Sequence, residues 1–296
     1  MRPYISPKTR FWPYAVLLGA LAWFWMSIAS NALALPYKDS LCIATTAFLA
    51  EPYDKDANLQ KIEAFMAQAK NQGAEFVLFP EMALVGYGSD KARNQELAEP
   101  IPGPSTGRLG NLAARLNLWV VIGMPELDPG TGKFYDAAAI IPPSGEAFGF
   151  RKLHTVSREP LWASEGDAPM VFETPWGPMG IAVCQDNYVY PGVVRYSAQH
   201  GARVHLSPTA YAGAVLIDSL AIDNFYRTLY FNILLSWSKA NRIFLVSANH
   251  AGGNFIGQST IIGPNRFGWP KIYAGPSGKE EEGVFTACLD LRLSGR

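Results

Sequence analysis

From Leu41 onward, short apolar runs of strand length alternate with amphipathic helical segments, and this alternation predicts a layered α/β domain. Two further observations agree. Hydrophobic residues make up 49% of the 296 residues and charged residues 17%, so there is enough apolar side chain to bury a sizeable core. No repeat, low-complexity tract or linker divides the chain after residue 37, so one domain over residues 38–296 is the simplest account.

Residues 41–46 read as the first strand. Over residues 58–71, Leu59, Ile62, Phe65, Met66 and Ala69 recur at helical spacing, and Gly73 supplies the stop. Residues 76–79 form the next strand, which ends at Pro80-Glu81. A helix over 106–116 leads into a strand over 118–123. Residues 137–141 and 146–150 flank Pro142-Pro143-Ser144-Gly145, a turn composition that predicts a hairpin. A second hairpin is predicted from 170–174 and 179–183 across Pro175-Trp176-Gly177-Pro178. A helix over 192–200, a strand over 204–207, a longer helix over 219–238 and a strand over 243–247 follow. Residues 258–262 and 284–289 are the last strand candidates.

Residues 1–37 read as an address rather than as part of the fold. Arg2, Lys8 and Arg10 precede an apolar stretch from Phe11 to Ile28, and small residues follow through Ala34, the order of a secretory signal or signal anchor. The charges lie before the apolar run, so the amino end is expected to stay cytoplasmic and the remainder to be exported, periplasmic or secreted. Ala32-Leu33-Ala34 offers a cleavage pattern, while residues 11–35 are long enough to hold an uncleaved chain at the membrane; both fates stay open.

Lys plus Arg and Asp plus Glu number 25 each, which leaves no basic field for a nucleic-acid backbone and makes nucleic acid an unexpected partner. Cys42, Cys184 and Cys288 lack CxxC spacing, so neither a disulfide framework nor a zinc site is predicted. Cys42 and Cys288 sit in apolar runs and read as small buried hydrophobes, with a bridge between them left open. His154, His200, His205 and His250 lack metal-ligand spacing, and no metal is assigned.

Chemistry points instead to Glu81, Lys152 and Cys184. Taken singly, each has a bland explanation: a solvated loop acid, a surface lysine, a packed thiol. Together they gain meaning, because each follows the C-terminal end of a predicted strand, the rim where layered α/β domains place their sites. Phe79-Pro80-Glu81-Met82-Ala83-Leu84-Val85-Gly86-Tyr87, Phe150-Arg151-Lys152-Leu153-His154 and Gly180-Ile181-Ala182-Val183-Cys184-Gln185-Asp186-Asn187 resemble the Glu, Lys and Cys motifs of the nitrilase superfamily of carbon-nitrogen hydrolases. Tyr135-Asp136-Ala137-Ala138, Phe172-Glu173-Thr174-Pro175-Trp176-Gly177 and Ser207-Pro208-Thr209-Ala210 support the match, which runs from Leu41 to Leu291.

The resemblance implies a four-layer αββα sandwich, commonly paired into homodimers, that cleaves a non-peptide carbon-nitrogen bond of a small amide or nitrile without metal or organic cofactor. By the same analogy Cys184 is the nucleophile, Glu81 the general base, and Lys152 with the backbone N–H of Gln185 the oxyanion stabilisers. A second glutamate is expected between the Lys and Cys motifs; Glu159 is preferred to Glu165 because it precedes Gly166-Asp167 at a spacing the family often shows. Trp162 and Tyr188 are candidates to line the substrate pocket, as are Tyr190 and Tyr211. Gln185-Asp186 stands where strict nitrilases carry Trp-Glu, which leaves the subfamily open: Trp162 with Gly166-Asp167 and Asn187-Tyr188 lean toward the nitrilase branch, while Asp186 and Ser207-Pro208-Thr209-Ala210 suit amidases as well, and an amidase is the first expectation. A nitrilase, or an acyltransferase related to lipoprotein N-acyltransferases, is the alternative; an inactive binding module on a membrane tether is the non-enzymatic reading.

Overall fold

The structure, a computed structural model, describes residues 37–213 and 220–295. The expected leader, residues 1–36, lies outside the described residues, and among those described no helix is long and apolar enough to cross a membrane. Among the described residues twelve strands and six helices follow one another: β1 Ser40–Phe48, α1 Lys55–Asn71, β2 Phe76–Leu78, α2 Lys91–Leu97, α3 Pro104–Leu116, β3 Trp119–Leu127, β4 Phe134–Ile141 and β5 Phe148–Arg151 in the first half. The second half runs β6 Met170–Phe172, β7 Met179–Ile181, α4 Gln185–Tyr188, α5 Pro191–Gln199, β8 Val204–Pro208, α6 Leu220–Asn241, β9 Phe244–His250, β10 Thr260–Pro264, β11 Pro270–Ala274 and β12 Gly283–Asp290.

The strands run in the order β5-β4-β3-β2-β1-β9-β8-β7-β6, with β12 on β1 and the β10–β11 pair on β9. Two half-sheets meet where β1 and β9 pair over only two positions, Ala47 with Asn249 and Phe48 with His250. Strand periodicity then sorts the side chains into layers. Leu41, Ile43, Phe76, Leu78, Val121, Ala138 and Ile140 of one half-sheet share a core with Ile181, Val204, Leu206, Phe244 and Val246 of the other, so the halves pack face to face. Their alternate neighbours Val77, Phe79, Val120, Ile122 and Ala139 turn outward against Ile62, Met66, Leu109 and Ala113 of α1 and α3. On the far side Leu245 and Ile262 meet Val194 of α5 and Tyr230 and Leu234 of α6. Helices cover both outer faces, giving the expected αββα sandwich. Strands buried on both faces explain why these segments read as almost unbroken apolar runs.

Local signals fix the helix ends. The Asp54 side chain accepts from Ala57 N at 3.0 Å to open α1, and Gly73 with φ of 84° takes the left-handed turn that closes it. Pro104 opens α3, where a missing N–H costs nothing. Helix α2, absent from the sequence reading, is capped by Asp90 accepting from Arg93 N at 3.2 Å. Strand β11 was also missed, because it begins at a proline and lies half-exposed on an edge without an apolar stripe.

One expectation is corrected here. Cys42 and Cys288 are not buried hydrophobes: they form a disulfide across β1 and β12, with Cys42 half-buried and Cys288 exposed. The antiparallel register sets them directly opposite one another, a proximity that 246 residues of intervening chain conceal in the sequence.

Candidate active site

Three chain segments deliver their polar groups to one end of the sandwich. Glu81 lies in the turn after β2, where His250 Nε2 donates to its carbonyl at 2.7 Å and Gly123 N donates to Pro80 O at 3.0 Å. A side chain at position 123 would collide with the Glu81 backbone, so β3 carries glycine at this crossing. Lys152 follows β5 directly, its N–H held by Asp136 O at 2.8 Å. Cys184 follows β7 and precedes α4, with φ of 48° and ψ of −109°. That is a costly conformation for a side chain with a Cβ, and it persists only where the surroundings enforce it.

The enforcement is visible. Cys184 N donates to Pro208 O at 2.9 Å, and Asn187 Nδ2 donates to Ala182 O at 2.7 Å and to Cys184 O at 3.3 Å. His205 in turn donates from Nε2 to Asn187 Oδ1 at 2.7 Å, which leaves Nδ1 to accept from Ser197 Oγ at 2.9 Å. Asp186 ties the cysteine turn to the lysine loop by accepting from Leu153 N at 2.9 Å and His154 N at 3.0 Å. The Gln185-Asp186 pair, read from sequence as a departure from the family pattern, therefore includes a structural clamp.

Burial drives the His205 imidazole down to about 3, so it is neutral in the fold. An unfolded histidine binds a proton near pH 6.5, so this group's contribution is fully present above that pH and is lost as pH falls toward 3. Wild-type stability should fall by up to about 1.4 kcal/mol per pH unit from this group across that window. His205→Gln should lack that slope, as read from urea unfolding at a series of pH values.

At the centre, Lys152 is fully buried, with Nζ 2.6 Å from Glu81 Oε1, 2.7 Å from Glu159 Oε1 and 3.6 Å from Asp136 Oδ2. Burial alone would strip its proton; attraction from the acid groups around it, Glu81 foremost, outweighs it and holds the ammonium well above the usual lysine range. That ammonium takes the place a metal cation would need among the three converging carboxylates. Burial, then repulsion from Glu81, raises the Glu159 carboxyl, with Lys152 opposing. Burial, then Glu81, pushes the Cys184 thiol well up, so the resting group is a thiol that must lose its proton as it attacks.

Glu159 is also fixed by Tyr87, whose hydroxyl donates to Oε1 at 2.7 Å, and by Val156 N donating to Oε2 at 2.8 Å. The rival Glu165 is exposed and accepts from Thr155 N at 3.1 Å, away from the lysine. A cavity of about 420 Å³ opens on Glu159 and Tyr87 and is walled by Trp162, Arg158, Asn254 and Phe255. Tyr188 is not among its walls: its hydroxyl bonds Thr209, and its ring lies edge-on to Tyr211 and Tyr230. Gln185 opens α4, so its N–H has no carbonyl partner within that helix.

Sequence reasoning missed the parts played by Tyr87, Asp136, Asn187 and His205. Asp136 had a usable signal, a charged residue in the middle of the otherwise apolar strand Phe134–Ile141. Nothing in the sequence could have linked Asn187 to His205.

A buried thiol on a strained turn, beside an ammonium and carboxylates at one end of an αββα sandwich, defines a thiol hydrolase of the nitrilase type. Residues 42–296 match the carbon-nitrogen hydrolase family, and the chain belongs to it. It is 28% identical over 247 residues to a nitrilase of Pyrococcus abyssi, covering 81% of this chain and 86% of that protein. To the omega-amidase of Homo sapiens it is 27% identical over 261 residues, covering 80% and 84%. Among solved structures it is similar to a mutant amidase from Nesterenkonia sp. AN1, with TM-score 0.71, 26% identity and coverage of 88% and 94%. That structure shows covalent addition of the acetamide moiety of fluoroacetamide at the active-site cysteine.

Proposed function

We propose that this carbon-nitrogen hydrolase is an amidase in which Cys184 attacks, Glu81 shuttles protons and Lys152 stabilises developing charge. The observation that carries the reading is the fully buried Lys152 ammonium held 2.6 Å from Glu81 and 2.7 Å from Glu159, whose positive charge favours ionisation of the Cys184 thiol against the effect of burial. As Cys184 Sγ bonds to the amide carbon, Glu81 takes the thiol proton, and the negative charge appearing on the former carbonyl oxygen is met by Lys152 and the Gln185 N–H. Collapse of this adduct breaks the carbon-nitrogen bond, and Glu81 returns the proton to the departing amine. Water then attacks the thioester with Glu81 again as base, releasing a carboxylic acid and restoring the thiol. Glu159 orients Lys152, and Trp162 and Tyr87 wall the cavity in which the substrate rests.

Parallel panels of small amides and nitriles, followed by ammonia release and by intact-protein mass, test this. Turnover and a Cys184-linked acyl adduct with amides support the amidase; turnover with nitriles alone favours a nitrilase. An adduct that passes to an added amine rather than to water favours the acyltransferase. No adduct with any member of either panel would sink the hydrolase reading.

Export belongs to the same proposal, with residues 11–35 acting as a cleaved signal or a retained anchor. The Cys42–Cys288 bridge supports it, since disulfides persist mainly in oxidising compartments. Fractionated cells, with thiols blocked at lysis and the mature amino terminus determined by mass, should show the oxidised chain outside the cytoplasm; a reduced cytoplasmic chain would overturn this part. Pairing into a homodimer is also proposed. Phe225 and Leu229, 61% and 39% exposed one turn apart on α6, form an apolar strip that pairing would cover, and sedimentation velocity reads the outcome.

A further inference from the structure

The mechanism just described leaves Asp136 without a task, yet its side chain is fully buried and neither carboxyl oxygen meets a hydrogen-bond donor. Lys152 Nζ stands 3.6 Å from Oδ2, beyond a hydrogen bond. Glu81 Oε2 shares the defect, being buried with no donor although its Oε1 is bound by the lysine. Oxygens of Glu81, Asp136 and Glu159 converge to within 4.8 Å of one another. Three ionised carboxylates against one ammonium would leave two uncompensated negative charges among buried side chains. Neighbouring carboxylates in that position resolve the conflict by holding a proton between them.

We propose that Asp136 is a positioning residue that rests as the neutral acid and donates its proton to Glu81 Oε2, aligning the Glu81 carboxylate between Lys152 and the Cys184 thiol. One proton satisfies the orphaned oxygen of Glu81, leaves the other Asp136 oxygen facing the ammonium, and cuts the excess charge to one. The charged groups that face Asp136 are Glu81, Lys152 and Glu159; Tyr87 and Cys184 interact with those same three. Burial first, and repulsion from Glu81 second, raise the Asp136 carboxyl well above the usual carboxylate range, in line with the geometry. The proton is not consumed: it stays on Asp136 while Glu81 takes up and returns the thiol proton. This assignment rests on Glu81 being the base.

Asparagine is the diagnostic substitute, because its amide N–H₂ can replace the donor and its carbonyl can face Lys152. Leucine removes the donor at similar size. The readout is the rate of Cys184 alkylation by iodoacetamide against pH, followed by intact mass on the full chain, which needs no knowledge of the natural substrate. Asp136→Asn should keep the acid limb within about half a pH unit of wild type, since a donor to Glu81 is retained. Asp136→Leu should move that limb up by about one to two pH units, the worth of a hydrogen bond to a charged acceptor.

An acid limb displaced to lower pH by Asp136→Asn would mean that a negative charge had been removed, and would overturn the proposal. So would an unmoved limb in a folded Asp136→Leu protein. Thermal melting reports whether the leucine variant folds, and if it does not, the asparagine arm decides alone. A wild-type Cys184 that reacts no faster than a free thiol would instead bring down the underlying catalytic reading, and this assignment with it.

Discussion

Replacing Cys184 with alanine is expected to lower kcat/KM toward the best amide by at least about 10⁴-fold, with the fold intact. The size follows from the chemistry: without the sulfur there is no thioester route, and what remains is binding in the cavity with an oxyanion site that has nothing to stabilise. Serine in its place should do little better, because the proposed base Glu81 would then have to take its proton from a hydroxyl, which is far less acidic than a thiol. Ammonia release measures the loss. The acyl adduct seen by mass in the wild type should be absent from the alanine protein. Residual activity within about 100-fold of wild type would show that Cys184 is not the nucleophile.

Lys152→Met should damage both activity and stability, and the two effects have different pH signatures. Loss of a fixed cation at the oxyanion is expected to cost about 10²- to 10³-fold in kcat or more. Removing one partner of a buried ion cluster should cost about 3–5 kcal/mol near neutral pH, because Glu81 and Glu159 lose the charge that compensates them. Glu159 and Asp136 already sit above the usual carboxylate range, and in the variant the lysine no longer opposes that rise. A carboxyl raised in the fold binds protons that the unfolded chain releases, so stability falls as pH rises. The deficit of Lys152→Met against wild type, measured by urea unfolding, should therefore grow from pH 5 to pH 8. A deficit independent of pH would mean that the ammonium does not hold these carboxylates. Lys152→Arg should not rescue activity, since the guanidinium is larger and planar where a compact ammonium lies within 3 Å of two carboxylates.

The layered α/β class and most strand and helix positions were legible in the amino-acid sequence, which also put forward the trio Glu81, Lys152 and Cys184 as its candidates for the chemistry. Those features are written locally: apolar periodicity marks an element, a capping residue or a glycine ends it, and the three ordered motifs carry their own flanks. It also put forward Glu159 ahead of Glu165, and in the structure Lys152 Nζ donates to Glu159 Oε1 at 2.7 Å. Only the tertiary structure decided which distant groups meet. Cys42 finds Cys288 because β12 returns along the edge of β1, and His205 secures the nucleophile turn through Asn187 from a strand 18 residues away. Asp136 gains its meaning from a proton balance among four buried titratable side chains drawn from separate segments. Such balances depend on distance and on burial, neither of which one-dimensional spacing records.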